Sequence, residues 1–178
     1  MSADAPILPA GRWRVVRRRS RVGFAVGRRG LGVLHGAFTG FEGELAVAAD
    51  GAATARGAVR ADSVDTGDGL RDDHLRGAGF LDAERHPRMT FAADAIGRGE
   101  DGAWAIDGAL TIRGVTRPLR LDARVEDVAG RDRARRLRVA GELDRRDFGL
   151  AWGRVAELAG GVATRVRVEL DLEVEPAG

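Results

Sequence analysis

Hydrophobic and polar residues alternate along much of the chain with a period of two, which is the pattern of β-strands. The clearest case is the segment 162–174, where every second residue is apolar or threonine and most residues between them are charged. Similar alternation runs through 103–113, 119–125 and 137–143. Strands with one apolar and one polar face are typical of antiparallel sheets, because parallel strands are usually buried on both faces.

The first half of the chain predicts strands that are less regular. They are expected at 13–15, 22–26, 34–49, 53–61 and 88–96. The longest of these segments contains Gly36, Gly40 and Gly43, and glycines within a strand mark bends or bulges. Eight or nine strands are expected in all, joined mostly by short Gly/Asp turns.

One segment, 66–87, has no period of two and predicts a short helical insertion. Asp68 is a good N-cap, Leu70 and Leu75 give a short apolar stripe, and Gly77 is suited to end the helix. We expect this helix to pack across an end or a side of the sheet.

A sheet of about eight antiparallel strands removes its exposed edges by closing into a barrel. Strands of roughly 12–15 residues extend roughly 40–50 Å. With a tilt of about 40°, the barrel would be roughly 30–38 Å tall. Small apolar side chains facing the interior of a tall barrel predict a long, narrow cavity, which suits a chain-like apolar ligand. The sequence therefore predicts an all-β, extended eight-stranded antiparallel barrel with a short helical insertion.

The charged positions determine which face of each strand is inside, because unpaired charges are not tolerated in a dry interior. The residues expected to line the cavity and bind a ligand are Phe24, Phe38, Phe91, Trp104, Ile106, Leu110, Leu121, Val125, Val139, Val166 and Val168. The alternative is that these side chains simply fill the core, as they do in small barrels.

Composition narrows the function classes. The chain has 178 residues, of which 44% are apolar, so one domain with one core is expected. We expect this domain over 12–175, after a flexible arm over 1–11. The 29 basic residues, all arginine, face 27 acidic ones, so tight binding of nucleic acid is not expected. Cysteine and lysine are absent, which excludes thiol nucleophiles, disulfides and Schiff bases.

The ends of the chain and its apolar segments bear on location. No apolar run approaches the roughly 20 residues of a membrane helix. The first residues lack the basic and apolar regions of a secretory signal. We therefore expect a cytoplasmic protein that does not span the membrane.

Candidate catalytic or metal-binding residues are few. Asp72, Asp73 and His74 are adjacent, so on a helix they point about 100° apart and do not converge. A capping role for them is favoured, and no catalytic or metal residues are expected. The arginine clusters at 17–21 and 131–138 are interpreted mainly as a solvated outer face, with one or two members of the first cluster near a ligand head group.

Three blocks of sequence, in order, resemble the YceI-like family of lipocalin-like, polyisoprenoid-binding proteins. The segment 63–91 is similar to that family's Ser-Val-x-Thr, Arg-Asp-x-His-Leu and Pro-x-x-Thr-Phe pattern. The segment 107–121 resembles its Gly-x-Leu-Thr hairpin, and 146–150 resembles its Arg-x-Asp-Phe-Gly motif. The first strands also match, except that the family's Asp and His-Ser positions are occupied here by Arg17–Arg19 and Ser20.

The resemblance implies non-catalytic binding, storage or transport of a long isoprenoid, quinone-like or fatty lipid inside the barrel. It implies a possible homodimer and no cofactor other than the bound lipid. Two alternatives stay open. One is an interaction or stress-response module with a filled barrel, and the other, less favoured, is a lipid-processing enzyme that uses Asp73 and His74 as acid and base.

Overall fold

The computed structural model describes residues 5–152 and 161–178. Within them lie eleven strands and one α-helix. The strands are β1 (Gly11–Val15), β2 (Arg21–Arg28), β3 (Gly32–Phe38), β4 (Phe41–Val47), β5 (Ala53–Arg60), β6 (Val64–Asp65), β7 (Arg88–Arg98), β8 (Trp104–Ile112), β9 (Val115–Asp127), β10 (Arg135–Asp144) and β11 (Val162–Pro176). The helix α1 is Gly69–Arg76.

The strands form a closed antiparallel barrel. The order β1-β4-β5-β7-β8-β9-β10-β11 closes on itself, because β1 also pairs with β11. β11 is long enough to pair with β2 along its first part and with β1 along its last part. β1 continues into β2 after a short interruption, and β3 continues into β4 in the same way. Each pair therefore forms one long, interrupted strand. The two-residue β6 pairs with the end of β3 and is not part of this closed order. The result is an eight-stranded barrel, which confirms the predicted fold class.

Both interruptions occur at local features that strand periodicity does not reveal. A single turn of 3-10 helix, Arg17–Arg19, separates β1 from β2. The segment expected as one strand over 34–49 bends at Gly40, between β3 and β4. A Cβ at Gly40 would lie 3.0 Å from the side chain of Arg60, so this bend packs tightly against the end of β5.

The predicted helix is present with the expected ends. The Asp68 side chain accepts a hydrogen bond from the Arg71 amide at 3.1 Å, and Gly77 follows the last helical residue. Leu75 is buried, but Leu70 is 86% exposed, so the expected apolar stripe is reduced to one residue. The helix is anchored instead by Asp72, whose carboxylate accepts from the amide and hydroxyl of Thr66.

Two separate groups of buried side chains occupy the two ends of the barrel. The closed end is built by Trp13, Trp104, Ala123, Leu137 and Val174 with their neighbours. The helix end is built by Leu75, Phe80, Leu81, Phe148 and Leu150 with theirs. The two groups lie at opposite ends of the barrel. Val174, in the closed end, is in the last part of β11, whereas the turn that carries Phe148, in the helix end, contacts the first residues of β11.

The N-terminal segment packs more closely than its composition predicts. Ile7 and Leu8 are buried in the closed end, and the indole of Trp13 donates to the carbonyl of Pro9 at 2.9 Å. These two apolar side chains complete the core, and the flexible arm expected over 1–11 stays a prediction. Residues 1–4 lie outside the described part of the chain, and the domain boundaries stay a prediction.

One carboxylate on the outer side of β11 is also buried. Glu173 is 2% exposed and is surrounded by Arg19, Arg131 and Arg136, with the Arg19 and Arg136 nitrogens at 3.5 and 3.3 Å. Members of both arginine clusters thus neutralise a buried charge, in addition to the solvated role expected for them. Removing one partner of such a group leaves charge uncompensated.

Candidate functional site

An elongated cavity of about 270 Å³ occupies the barrel between the closed end and the helix end, and its lining is almost entirely apolar. Four successive inward residues of β11 line it, from Val166 to Leu172. Val166 and Leu172 are six residue steps apart, which is about 20 Å along a strand, so the cavity extends along much of β11. Its volume is near the lower limit of the roughly 300–1,000 Å³ found for small-molecule sites.

The inward residues of β11 beside the cavity are incompletely buried, whereas other lining residues such as Ile106 and Val139 are buried. Val166, Val168, Leu170 and Leu172 face the barrel interior but keep part of their surface accessible. At the closed end, by contrast, Val174 and Ala123 are fully buried. This difference in burial along β11 shows where the interior is empty. The inward side chains fill the space at the level of Val174, but not at the level of Val166 to Leu172.

Most of the predicted lining residues do line this cavity. They are Phe24, Phe38, Phe91, Ile106, Leu110, Leu121, Val139, Val166 and Val168. Trp104 and Val125 do not. They face inward, but they pack in the closed end, where the guanidinium of Arg98 stacks 4.0 Å from the Trp104 ring. Alternation identifies the inner face of a strand, but not the level at which the interior is filled. Whether the lining residues bind a ligand stays a prediction.

The helix end contributes lining residues that the periodicity does not reveal. Leu75, Phe80, Leu81 and Trp152 cover the cavity from α1 and from the loops beside it. The Phe80 and Trp152 rings lie 5.0 Å apart, and His74 stacks on Trp152 at 6.3 Å. The capping residues of 66–87 and the resemblance of the block 63–91 signalled the segment of Leu75, Phe80 and Leu81 in the sequence, but nothing there signalled Trp152.

Two aromatic rings of the cavity wall lie against glycines of neighbouring strands. A Cβ at Gly36 would lie 2.3 Å from the Phe24 ring, and one at Gly108 would lie 2.4 Å from the Phe91 ring. Glycine at such positions allows the close approach of a neighbouring group. The rings can therefore lie along the wall, and the axis of the barrel stays open.

The substitution Gly36→Ala is expected to lower the free energy of unfolding by about 1–3 kcal/mol, the usual cost of overpacking. The added methyl group pushes the Phe24 ring toward the cavity. Urea denaturation measures the change. Gly27→Ala is a matched control from the paired strand, because its Cβ would meet only Ala163 at 3.7 Å. Equal stability of the two variants would show that Phe24 does not need this glycine.

A buried arginine joins the cavity wall at the helix end. Arg145 is 1% exposed. Its guanidinium donates to the carbonyls of Leu150, Ala163 and Val162 at 2.8, 3.0 and 3.3 Å. Arg145 is two residues before Asp147, which is the arginine position of the Arg-x-Asp-Phe-Gly pattern, so this motif could have identified it. It ties the turn after β10 to the start of β11.

The same turn, the 3-10 helix Arg145–Phe148, has a charged cap. The guanidinium and then the backbone amide of Arg146 donate to Asp144, and they lower the pKa of this carboxyl to about 2. Because the folded-state pKa lies below the usual value for Asp, the stabilisation is present above about pH 4. It is lost only as the pH falls through about 2, so this cap is ionised at neutral pH.

The other polar candidates do not assemble a reactive centre. Asp73 forms an ion pair with Arg76 at 2.9 Å, the Asp72 carboxylate accepts a hydrogen bond from the Thr66 hydroxyl, and the His74 ring stacks on Trp152. Over 5–152 and 161–178, no group of three or more His, Asp or Glu residues could hold a metal ion. Arg17–Arg19 form a turn outside the wall and do not line the cavity. None of the helices described is long and apolar enough to cross a membrane.

Comparison with known sequences gives one family. The chain matches the YceI-like domain over residues 13–174. It is 36% identical over 104 residues to a UPF0312 protein of Pectobacterium atrosepticum, a match covering 57% of this chain and 54% of that relative. A UPF0312 protein of Pectobacterium carotovorum is 37% identical over 108 residues, with the same coverage. The chain thus spans about half the length of these curated relatives.

Solved structures share the fold. BcnA of Burkholderia cenocepacia superposes with a TM-score of 0.79 and 22% identity, covering 89% of this chain and 98% of that one. A polyisoprenoid-binding domain of Saccharophagus degradans gives a TM-score of 0.70 and 18% identity, covering 92% and 98%. The closed barrel and the match over 13–174 lead to the same conclusion: this chain belongs to the YceI-like domain family.

Proposed function

We propose that this protein binds a long isoprenoid or a similar chain-like lipid in its barrel and holds or carries it without chemical change. The observation that supports the proposal most is the elongated apolar cavity, along which the inward side chains of β11 keep accessible surface. Each methylene buried against such a wall contributes about 0.8 kcal/mol, so a long chain gains from filling the whole length.

The alternatives are less well supported by the same residues. A filled barrel would bury Val168 and Leu170 as completely as Val174. In the structure, Val168 and Leu170 are only partly buried, whereas Val174 is fully buried. An enzyme would need an acid and a base directed at one point, whereas Asp73 is exposed and paired with Arg76. The structurally similar protein from Saccharophagus degradans is a polyisoprenoid-binding domain, which supports the same ligand class.

Filling the cavity tests the proposal. Val166→Trp places a large ring beside the empty volume, so the barrel is expected to fold while uptake of a radiolabelled polyprenol falls at least about tenfold. The reason is that the ring occupies the space of several methylenes, each worth about 0.8 kcal/mol. Thermal unfolding and polyprenol binding are measured on the same preparations.

Ala140→Trp is the matched control, since Ala140 is exposed on the outer face of the adjacent strand β10. It is expected to leave uptake unchanged. A barrel that is already filled would behave differently. Val166→Trp would then cost about 1–3 kcal/mol of stability or more, and neither variant nor the unmodified protein would take up polyprenol.

A further inference from the structure

Exposed apolar side chains are concentrated at one end of the barrel. Among the described residues, the large hydrophobic side chains that are exposed are Leu31 at 71%, Val33 at 47% and Leu70 at 86%. Single exposed apolar residues are common on protein surfaces. Here, however, all three lie beside the helix end: Leu31 is in the turn between β2 and β3, Val33 is the second residue of β3, and Leu70 is in α1.

Hydrogen bonds and register place these two elements together. The Arg29 amide donates to the carbonyl of Gly161 at 3.0 Å, and Arg28 pairs with Val162 at the start of β11. Arg145 connects Val162 to Leu150. Two residues further on, Trp152 lines the cavity and stacks on His74 of α1. The turn and the helix therefore flank the same end of the cavity.

The turn is basic as well as apolar. Arg28 and Arg29 are separated from Leu31 only by Gly30, and the whole segment 21–38 contains no Asp or Glu. Arg29 is exposed, and Arg28 folds over the turn to donate to the carbonyl of Leu31 at 3.3 Å. Residues 29–33 are all exposed, and a row of exposed apolar and basic side chains fits a deformable surface. Aliphatic side chains next to arginines suit the interface of an anionic bilayer, where the apolar groups insert and the cations meet the lipid phosphates.

We propose that the β2–β3 turn docks the helix end of the barrel on an anionic lipid bilayer. In the docked orientation, Leu31 and Val33 enter the interfacial region and Leu70 lies at the same end. An apolar chain then passes between the bilayer and the cavity with little exposure to water. This inference rests on the proposed lipid-binding function for its purpose, but the docking itself is tested without any isoprenoid.

The test measures partition of the full chain onto vesicles of phosphatidylcholine, with and without phosphatidylglycerol, by co-sedimentation. Binding is expected to anionic vesicles and to weaken with salt. The double variant Arg28→Gln/Arg29→Gln is expected to lose about tenfold or more in partition, because each cation near such a surface contributes appreciably. Leu31→Glu is expected to lose at least as much.

Arg17→Gln/Arg133→Gln is the matched control, since it removes the same charge from exposed positions outside the β2–β3 turn and α1. It is expected to change partition by less than about threefold. Equal losses in the two double variants would overturn the proposal, and so would absence of binding to both kinds of vesicle. A change from dimer to monomer in Leu31→Glu, without vesicle binding by the unmodified chain, would assign the β2–β3 turn to a second copy and overturn the proposal as well.

Loading from detergent separates this inference from the proposed function. Leu31→Glu is expected to take up polyprenol from detergent micelles as the unmodified protein does, but to acquire it more slowly from anionic vesicles. A chain that binds vesicles yet takes up no polyprenol from micelles would refute the proposed function and leave the docking standing. A chain that loads from micelles but does not bind vesicles would refute the docking alone.

Discussion

Replacing Phe80 by alanine is expected to lower the free energy of unfolding by about 3–5 kcal/mol, the usual cost of emptying an aromatic core site. Phe80 is only 8% exposed, and its ring lies 5.0 Å from that of Trp152. It packs with Leu75 and Leu81 where the helical insertion covers the helix end of the barrel. Its loss would therefore detach the insertion from the wall as well as leave a hole.

Urea denaturation followed by circular dichroism measures this change. Leu70→Ala is a suitable control, because it also truncates an apolar side chain of the same segment but at an exposed position. It is expected to change stability by less than about 0.5 kcal/mol. If Phe80→Ala unfolded at the same urea concentration as the control, the segment after α1 would not be part of the folded core.

Replacing Arg145 by methionine is expected to cost at least about 3 kcal/mol. Methionine keeps much of the apolar stem but removes every donor from a side chain that is 1% exposed. The carbonyls of Leu150 and Ala163 then lose their guanidinium partner, and each buried acceptor left unpaired costs about 1–3 kcal/mol. The start of β11 is expected to lose protection from amide hydrogen exchange before the rest of the barrel does.

The adjacent arginine provides the control. Arg146 has a side chain that is 64% exposed and pairs with Asp144 at 2.8 Å, so Arg146→Met is expected to cost about 1 kcal/mol or less. Comparable losses from the two substitutions would mean that the charge of the turn matters and the buried hydrogen bonds do not.

The sequence predicts the barrel well because strand alternation is a local consequence of burying one face. In β11 the apolar positions from Val166 to Val174 all face inward in the structure. The helix was also predictable, since Asp68 and Gly77 are local signals that need no tertiary context. Local signals do not reveal the 3-10 turn at Arg17–Arg19, because it depends on the pairing of β1 and β2 with different parts of β11.

The sequence predicts which face of each strand points into the barrel, but not how far along the strands the cavity extends. Trp104 follows the same alternation as Ile106 and Leu110, yet it packs in the closed end because Trp13 and the N-terminal Leu8 are there too. Arg145 could not be placed by alternation at all. A buried arginine is exceptional for its residue type, and one of its carbonyl partners, Ala163, is 18 residues further along the chain.

The most direct test of a lipid-holding barrel is native mass spectrometry of the purified protein, followed by solvent extraction and identification of what is released. A population heavier than the polypeptide by the mass of one chain-like apolar lipid is expected, and it is expected to disappear in Val166→Trp but not in Ala140→Trp. An unmodified protein that carries no lipid and takes up no polyprenol when it is supplied would contradict the lipid-holding role of the barrel.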